Sequence, residues 1–161
     1  MSAGNTQKGR VAAVDLGKTR VGVAISDELG LLAFPREPLD GRKLPALLAE
    51  LRALAQKEGV SRFIVGLPLL MSGAEGPAAR RAIRFAQRLT AATGIEVELL
   101  DERLTTVQAE QQLRALVAGS PQPSKTRRRA AASRKQLRGR VDGVAAALIL
   151  QTWLDQRQPA G

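Results

Sequence analysis

Two apolar runs near the start of the chain, RVAAVDL over Arg10–Leu16 and RVGVAIS over Arg20–Ser26, are separated only by Gly17, Lys18 and Thr19. Both are rich in Val and Ala and read as buried strands. A connection this short, opened by glycine, makes the pair a hairpin. An antiparallel start of this kind, followed by alternating helix and strand, confines the chain to a mixed sheet with helices on its faces.

The remainder follows that plan. A third short strand is expected near residues 31–34, after which Pro35, Pro38 and Gly41 break the pattern. Leu44, Leu47, Leu48, Leu51 and Leu54 recur at helical spacing, and Gly59 closes that helix. Residues 62–67, RFIVGL, form a compact strand. A loop over 68–76 leads to Pro77, which suits a first helical turn, and Ala82, Phe85, Ala86 and Leu89 give that helix its buried face before Gly94 ends it. Residues 95–100 make the next strand. Thr105 and Gln108 suit a capping box for a further helix with Ala109, Leu113, Leu116 and Val117 on its apolar face. Residues 118–140 read as a basic loop. Residues 142–154 read as a last helix, apolar on nearly every side and therefore packed deeply. The expected architecture is α/β, a mixed five-stranded sheet flanked by helices, in one domain over residues 10–155 with loose tails over 1–9 and 156–161. A length of 161 residues suits one domain.

What is missing narrows the chemistry. The chain has no His, no Cys and no Tyr. Cysteine nucleophiles, histidine bases, tyrosine nucleophiles and the usual zinc sites are therefore excluded. Hydrolysis here has to rest on carboxylates, hydroxyls, Lys or Arg, and carboxylates favour hard ions such as Mg2+ or Mn2+. The net charge is +10, and eight of the 25 basic residues, but none of the 15 acidic ones, lie in residues 118–140. These are Lys125, Arg127, Arg128, Arg129, Arg134, Lys135, Arg138 and Arg140. A segment so charged and without a strong apolar face points to a phosphate polymer as partner rather than a membrane surface. Aromatic residues are 2% of the chain, so recognition should rest on phosphates and shape rather than base stacking. Trp153 reads as core. No apolar run is long enough to cross a bilayer, the first ten residues lack the apolar block of a secretion signal, and a cytoplasmic protein is expected.

Three acidic positions lie at the ends of elements. Asp15 ends the first strand, where it either carries chemistry or simply opens the turn before Gly17. Asp101 and Glu102 follow the strand over 95–100, where two adjacent acids repel unless a cation is near or Arg103 pairs with one. Asp142 precedes the last helix and suits either an N-cap or a site. Strand ends in such folds converge on one edge of the sheet, and a two-metal nuclease needs several acids around ions roughly 3.5–4 Å apart.

Four blocks, DLGKTRVGVAISD, IVGLPLLMSGAEGP, LLDERLTT and VDGVAAALIL, in this order and at this spacing, resemble the YqgF/RuvX family of Holliday junction resolvases and pre-16S rRNA nucleases. The resemblance covers nearly the whole domain and implies an RNase H-like fold and a metal-dependent endonuclease acting on structured nucleic acid. It implies Asp15, Glu102 and Asp142 as catalytic acids and metal ligands; Asp101 stands beside them as a further candidate ligand. Strand alternation alone does not choose between Asp101 and Glu102. Lys18 and Arg20 of the first motif join the basic segment as expected nucleic-acid contacts. The family usually has its Lys directly before this Arg, whereas here Thr19 intervenes, and the basic segment is lengthened by Ala130, Ala131 and Ala132. Symmetric cutting of a four-way junction would require two active sites, hence a homodimer. Two other readings remain at this stage. One is a nucleic-acid-binding protein without catalysis. The other is an actin-like ATP-binding protein, whose first phosphate loop has a comparable Asp-x-Gly turn.

Overall fold

The structure is a computed structural model. It describes residues 9–105, 107, 110–111, 115 and 127–157, with backbone alone over 127–141. Strand β1 (Arg10–Leu16) pairs antiparallel with β2 (Arg20–Ser26), with Asp15 opposite Gly22. On its other side β1 runs parallel to β5 (Val60–Leu67), which runs parallel to β6 (Glu96–Asp101). β3 (Ala33–Pro35) and β4 (Leu39–Asp40) both pair antiparallel with β2, giving the order β3-β2-β1-β5-β6 with β4 beside β2.

The sheet therefore has six strands rather than five. Pro35 and Pro38 do interrupt the edge, because proline lacks the N–H a strand ladder needs. The chain then returns to the same side of β2 for two more residues. The third strand also begins two residues later than the sequence suggested.

Helices α1 (Leu44–Glu58) and α2 (Pro77–Thr93) cover one face. Each starts with proline in its first turn and ends at a glycine with φ +70°, Gly59 and Gly94. Ala82, Phe85, Ala86 and Leu89 of α2 are buried there with Ala12, Val14, Phe63 and Val65. Among the described residues, the other face carries helix α3 (Arg127–Arg157), which packs across β2, β1 and β3. Val11, Ala13, Ala24 and Ile64 meet Ala146, Ile149, Leu150 and Trp153 there. Strand alternation thus sorts the two cores, and on β1 the residue after Val11 and Ala13 in the α3 phase is Asp15. Gln151 of α3 is buried and holds the edge strand: its carbonyl oxygen accepts from Ala33 N at 3.0 Å and its amide donates to Leu31 O at 3.0 Å. Trp153 is core, as expected, with the Arg157 guanidinium 4.1 Å from its ring centre.

Helix α3 corrects the reading of the basic segment. From Arg127 onward that segment is helical, not a loop, and it runs unbroken into the apolar C-terminal half. Ala, Arg, Lys, Gln and Leu are strong helix formers, and a single Gly139 costs only about 1 kcal/mol. Residues 118–126, including Lys125, lie outside the described residues. So do Gln108, Ala109, Leu113, Leu116 and Val117 of the expected third helix, although Val107, Glu110, Gln111 and Ala115 are helical.

Candidate active site

Three carboxylates are brought to the C-terminal end of β1 from separate elements. Asp15 extends from β1 on the α3 face. Glu102 opens a short 3-10 turn (Glu102–Leu104) directly after β6, in phase with Leu100 on that same face. Asp142 lies in the interior of α3, so it is not the helix N-cap.

Two glycines make this approach feasible. Gly22 is paired with Asp15 on β2, and a Cβ there would collide with the backbone carbonyl of Asp142. Gly66 follows the residue paired with Val14 on β5, and a Cβ there would lie 2.5 Å from a Glu102 carboxylate oxygen and 2.7 Å from Ile149 Cδ1. Asp15 is thus flanked by two positions without side chains. One admits the backbone of α3 and the other the carboxylate of Glu102. The sequence signal was available: each glycine interrupts an otherwise apolar strand, which marks a close approach.

The electrostatics follow from this crowding. Glu102 and Asp15 are both half-buried and hydrogen-bonded to each other. Burial first, then the Asp15 charge, pushes the Glu102 carboxyl up to about 7. Asp15 is also raised, by burial and by the charge of Asp142, while its hydrogen bond with Glu102 acts the other way. Both shifts run in the same direction: crowding and burial disfavour ionising the two carboxyls together. Asp142 turns to Arg20, whose guanidinium is 3.8 Å away.

Among the described residues, no three carboxylates stand close enough together to enclose an ion. Still, two adjacent half-buried carboxylates, with a third in electrostatic range, are a donor set that a divalent cation fits, since it would relieve their repulsion. All donors are oxygen, which suits Mg2+ or Mn2+. Asp101 is engaged elsewhere. Both its oxygens accept from the Arg103 guanidinium, Oδ2 at 2.7 Å and Oδ1 at 3.1 Å, and Oδ1 also accepts from Arg103 N at 3.0 Å. That ion pair holds its pKa below the usual carboxylate range. It caps the turn that presents Glu102 rather than joining the cluster.

Of the expected nucleic-acid contacts, Lys18 is exposed in the β1–β2 turn and Arg20 sits against Asp142. Arg127, Arg128, Arg129, Arg134, Lys135, Arg138 and Arg140 lie on the N-terminal half of α3, the helix that also bears Asp142. Arg81 is not among the expected contacts. Arg81, Arg84 and Arg88 read as one solvated helix face, yet Arg81 donates to the Gly17 carbonyl at 2.7 Å, two residues from Asp15. A contact so distant in sequence leaves no local signal.

The fold and this acidic edge define an RNase H-like α/β protein. Two structures of RuvC from Thermus thermophilus, one in complex with a Holliday junction substrate, superpose with TM-scores of 0.55 and 0.56 at 12% identity, over 92% and 91% of this chain and 96% of theirs. At that identity the likeness concerns the fold alone. The sequence goes further: residues 9–156 match the RuvX Holliday junction resolvase family, and the chain belongs to it. A relative from Anaeromyxobacter dehalogenans is 45% identical over 93% of this chain and 99% of its own length. Another from Chloroflexus aurantiacus is 40% identical over 92% and 88%. Both are provisionally named pre-16S rRNA nucleases. Membership in a nuclease family decides among the readings raised from the sequence in favour of a phosphodiester hydrolase acting on structured nucleic acid. Among the described residues no helix is long and apolar enough to cross a membrane.

Proposed function

We propose that this protein is a divalent-metal-dependent endonuclease whose metal is held by Asp15, Glu102 and Asp142, and whose substrate is precursor 16S rRNA or a four-way DNA junction. The observation that carries the metal site is the contact between Asp15 and Glu102, with Asp142 adding its charge at the same strand end. The rRNA precursor takes its place from the names of relatives at 40–45% identity, and the junction from the family description. Cutting a junction symmetrically would call for a homodimer. We assign the activity to the cytoplasm, where both substrates are met in a bacterial cell.

The ion, when bound, would supply positive charge to offset the negative charge that builds on the phosphate as water attacks, and acidity for that water. The chain's own part begins with binding. Lys18 and the basic N-terminal half of α3 attract the backbone with little sequence preference, because phosphate contacts carry no base information. Glu102 has to be ionised to serve as a ligand, and Asp142 has to leave Arg20. The freed Arg20 guanidinium then stands beside the acids, able to take a phosphate oxygen. Gly22 and Gly66 keep the three carboxylates in this arrangement by letting α3 and Glu102 close onto β1 and its neighbours.

The test uses purified protein and its Asp15→Asn variant with a four-way DNA junction and a pre-16S rRNA fragment, in Mg2+ and in Mn2+. Wild type should cut at least one substrate only when the ion is present. Asp15→Asn should bind comparably and not cut. Cleavage by the variant at the wild-type rate would remove Asp15 from the mechanism.

A further inference from the structure

We infer that Arg81 is a phosphate-binding residue of the same site, reaching it from the opposite face of the sheet. Arg81 lies on α2, at the end of the sheet where β1 ends, whereas the three acids lie on the α3 side. Its guanidinium spans that edge to donate to Gly17 O at 2.7 Å. The turn it grips is itself fixed: Gly17 N donates to Arg20 O at 2.9 Å and Gly41 N to Thr19 O at 2.8 Å. The anchor therefore sets where the guanidinium stands relative to Asp15.

Two guanidiniums near this edge face carboxylates. Arg103 is paired with Asp101, and Arg20 lies against Asp142. Arg81 is exposed and, among the described residues, has no carboxylate partner. One of its donors is used by a neutral carbonyl, and a guanidinium has five. A cation that is held in place, uncompensated and directed to the rim of an acidic site has the properties of a phosphate clamp. The anchoring bond removes part of the side-chain entropy that a free arginine loses on binding. Strand geometry limits the Cα atoms of Asp15 and Gly17 to about 7 Å apart. Arg81 therefore serves a phosphate one or two nucleotides from the cleaved bond, with Lys18 in the same turn as its neighbour. Its ligand is a backbone phosphodiester, on DNA or RNA alike.

This inference rests on the nuclease reading, and the experiment separates the two. Binding of a labelled four-way junction and of a pre-16S rRNA fragment is followed by fluorescence anisotropy in EDTA, from low to moderate salt, for wild type, Arg81→Gln, Arg81→Lys and Arg84→Gln. Arg84 is the control, an exposed arginine three residues along the same helix. For Arg81→Gln the affinity should fall about tenfold near 0.1 M salt and the log–log salt slope should flatten by roughly one unit. Arg81→Lys keeps the charge and should keep the slope. Arg84→Gln should change neither. Equal thermal destabilisation in both Arg81 variants with an unchanged slope would make Arg81 a strut and overturn the inference, as would a slope loss just as large in Arg84→Gln. Failure of wild type to bind either nucleic acid would instead overturn the nuclease reading beneath it.

Discussion

Glu102→Gln should stabilise the ion-free protein above neutrality and have little effect in acid. The folded carboxyl titrates at about 7 against an ordinary 4.5, because it is half-buried and faces Asp15. The folded state thus holds this proton more tightly than the unfolded chain. The associated stabilisation is fully present below about pH 4.5 and is lost as the pH rises through about 7. The raised value corresponds to about 3 kcal/mol against the ionised form. Because the side chain is partly in contact with water, screening reduces this to about 1–2 kcal/mol. Gln keeps a hydrogen-bond donor toward Asp15 without the charge, so it avoids the penalty at pH 8 and gains nothing at pH 4.5. Urea unfolding in EDTA at the two pH values measures the difference, and a thermal scan at pH 8 should show a rise of about 2–8 °C for a chain of this size. A variant equally stable relative to wild type at both pH values would refute the reasoning, since the crowding of Asp15 and Glu102 would then carry no energy. In saturating Mg2+ the ranking should reverse, because the wild type, with all three carboxylates, gains more stability from the ion.

Gly22→Ala places a methyl against the Asp142 carbonyl and should lower stability by about 1–3 kcal/mol in urea unfolding while impairing cleavage; unchanged unfolding would show that α3 does not close onto β2 as described. Trp153→Ala should lower stability by about 3–5 kcal/mol by the same assay, and a loss under 1 kcal/mol would mean the α3-side core is not packed around it. Neutralising Arg127, Arg128 and Arg129 together should weaken binding and flatten its salt slope by about three units at most, with much less effect on cleavage at saturating substrate. If neither affinity nor slope moves, the N-terminal half of α3 does not touch the substrate.

The sequence by itself determined the elements and the chemistry available to them. The two leading strands, the helix ends at Gly59 and Gly94 and the buried face of α2 are local properties, written in periodicity and in backbone preference, and they lie where those signals put them. The absence of His, Cys and Tyr limited hydrolysis to carboxylates, hydroxyls, Lys or Arg before any contact was known. Tertiary structure decided which acids meet. Leu99 and Leu100 are both apolar, so alternation along β6 could not say whether Asp101 or Glu102 faces α3; Leu100 packs in the α3-side core, and Glu102 follows in its phase. Asp142 looked like a cap because the apolar pattern begins beside it, whereas helix propensity carries α3 back to Arg127. The short β4, the paired roles of Gly22 and Gly66 and the reach of Arg81 to Gly17 are contacts between residues distant in sequence. Periodicity reports the face of a single element. Which faces come together depends on the packing of all of them at once.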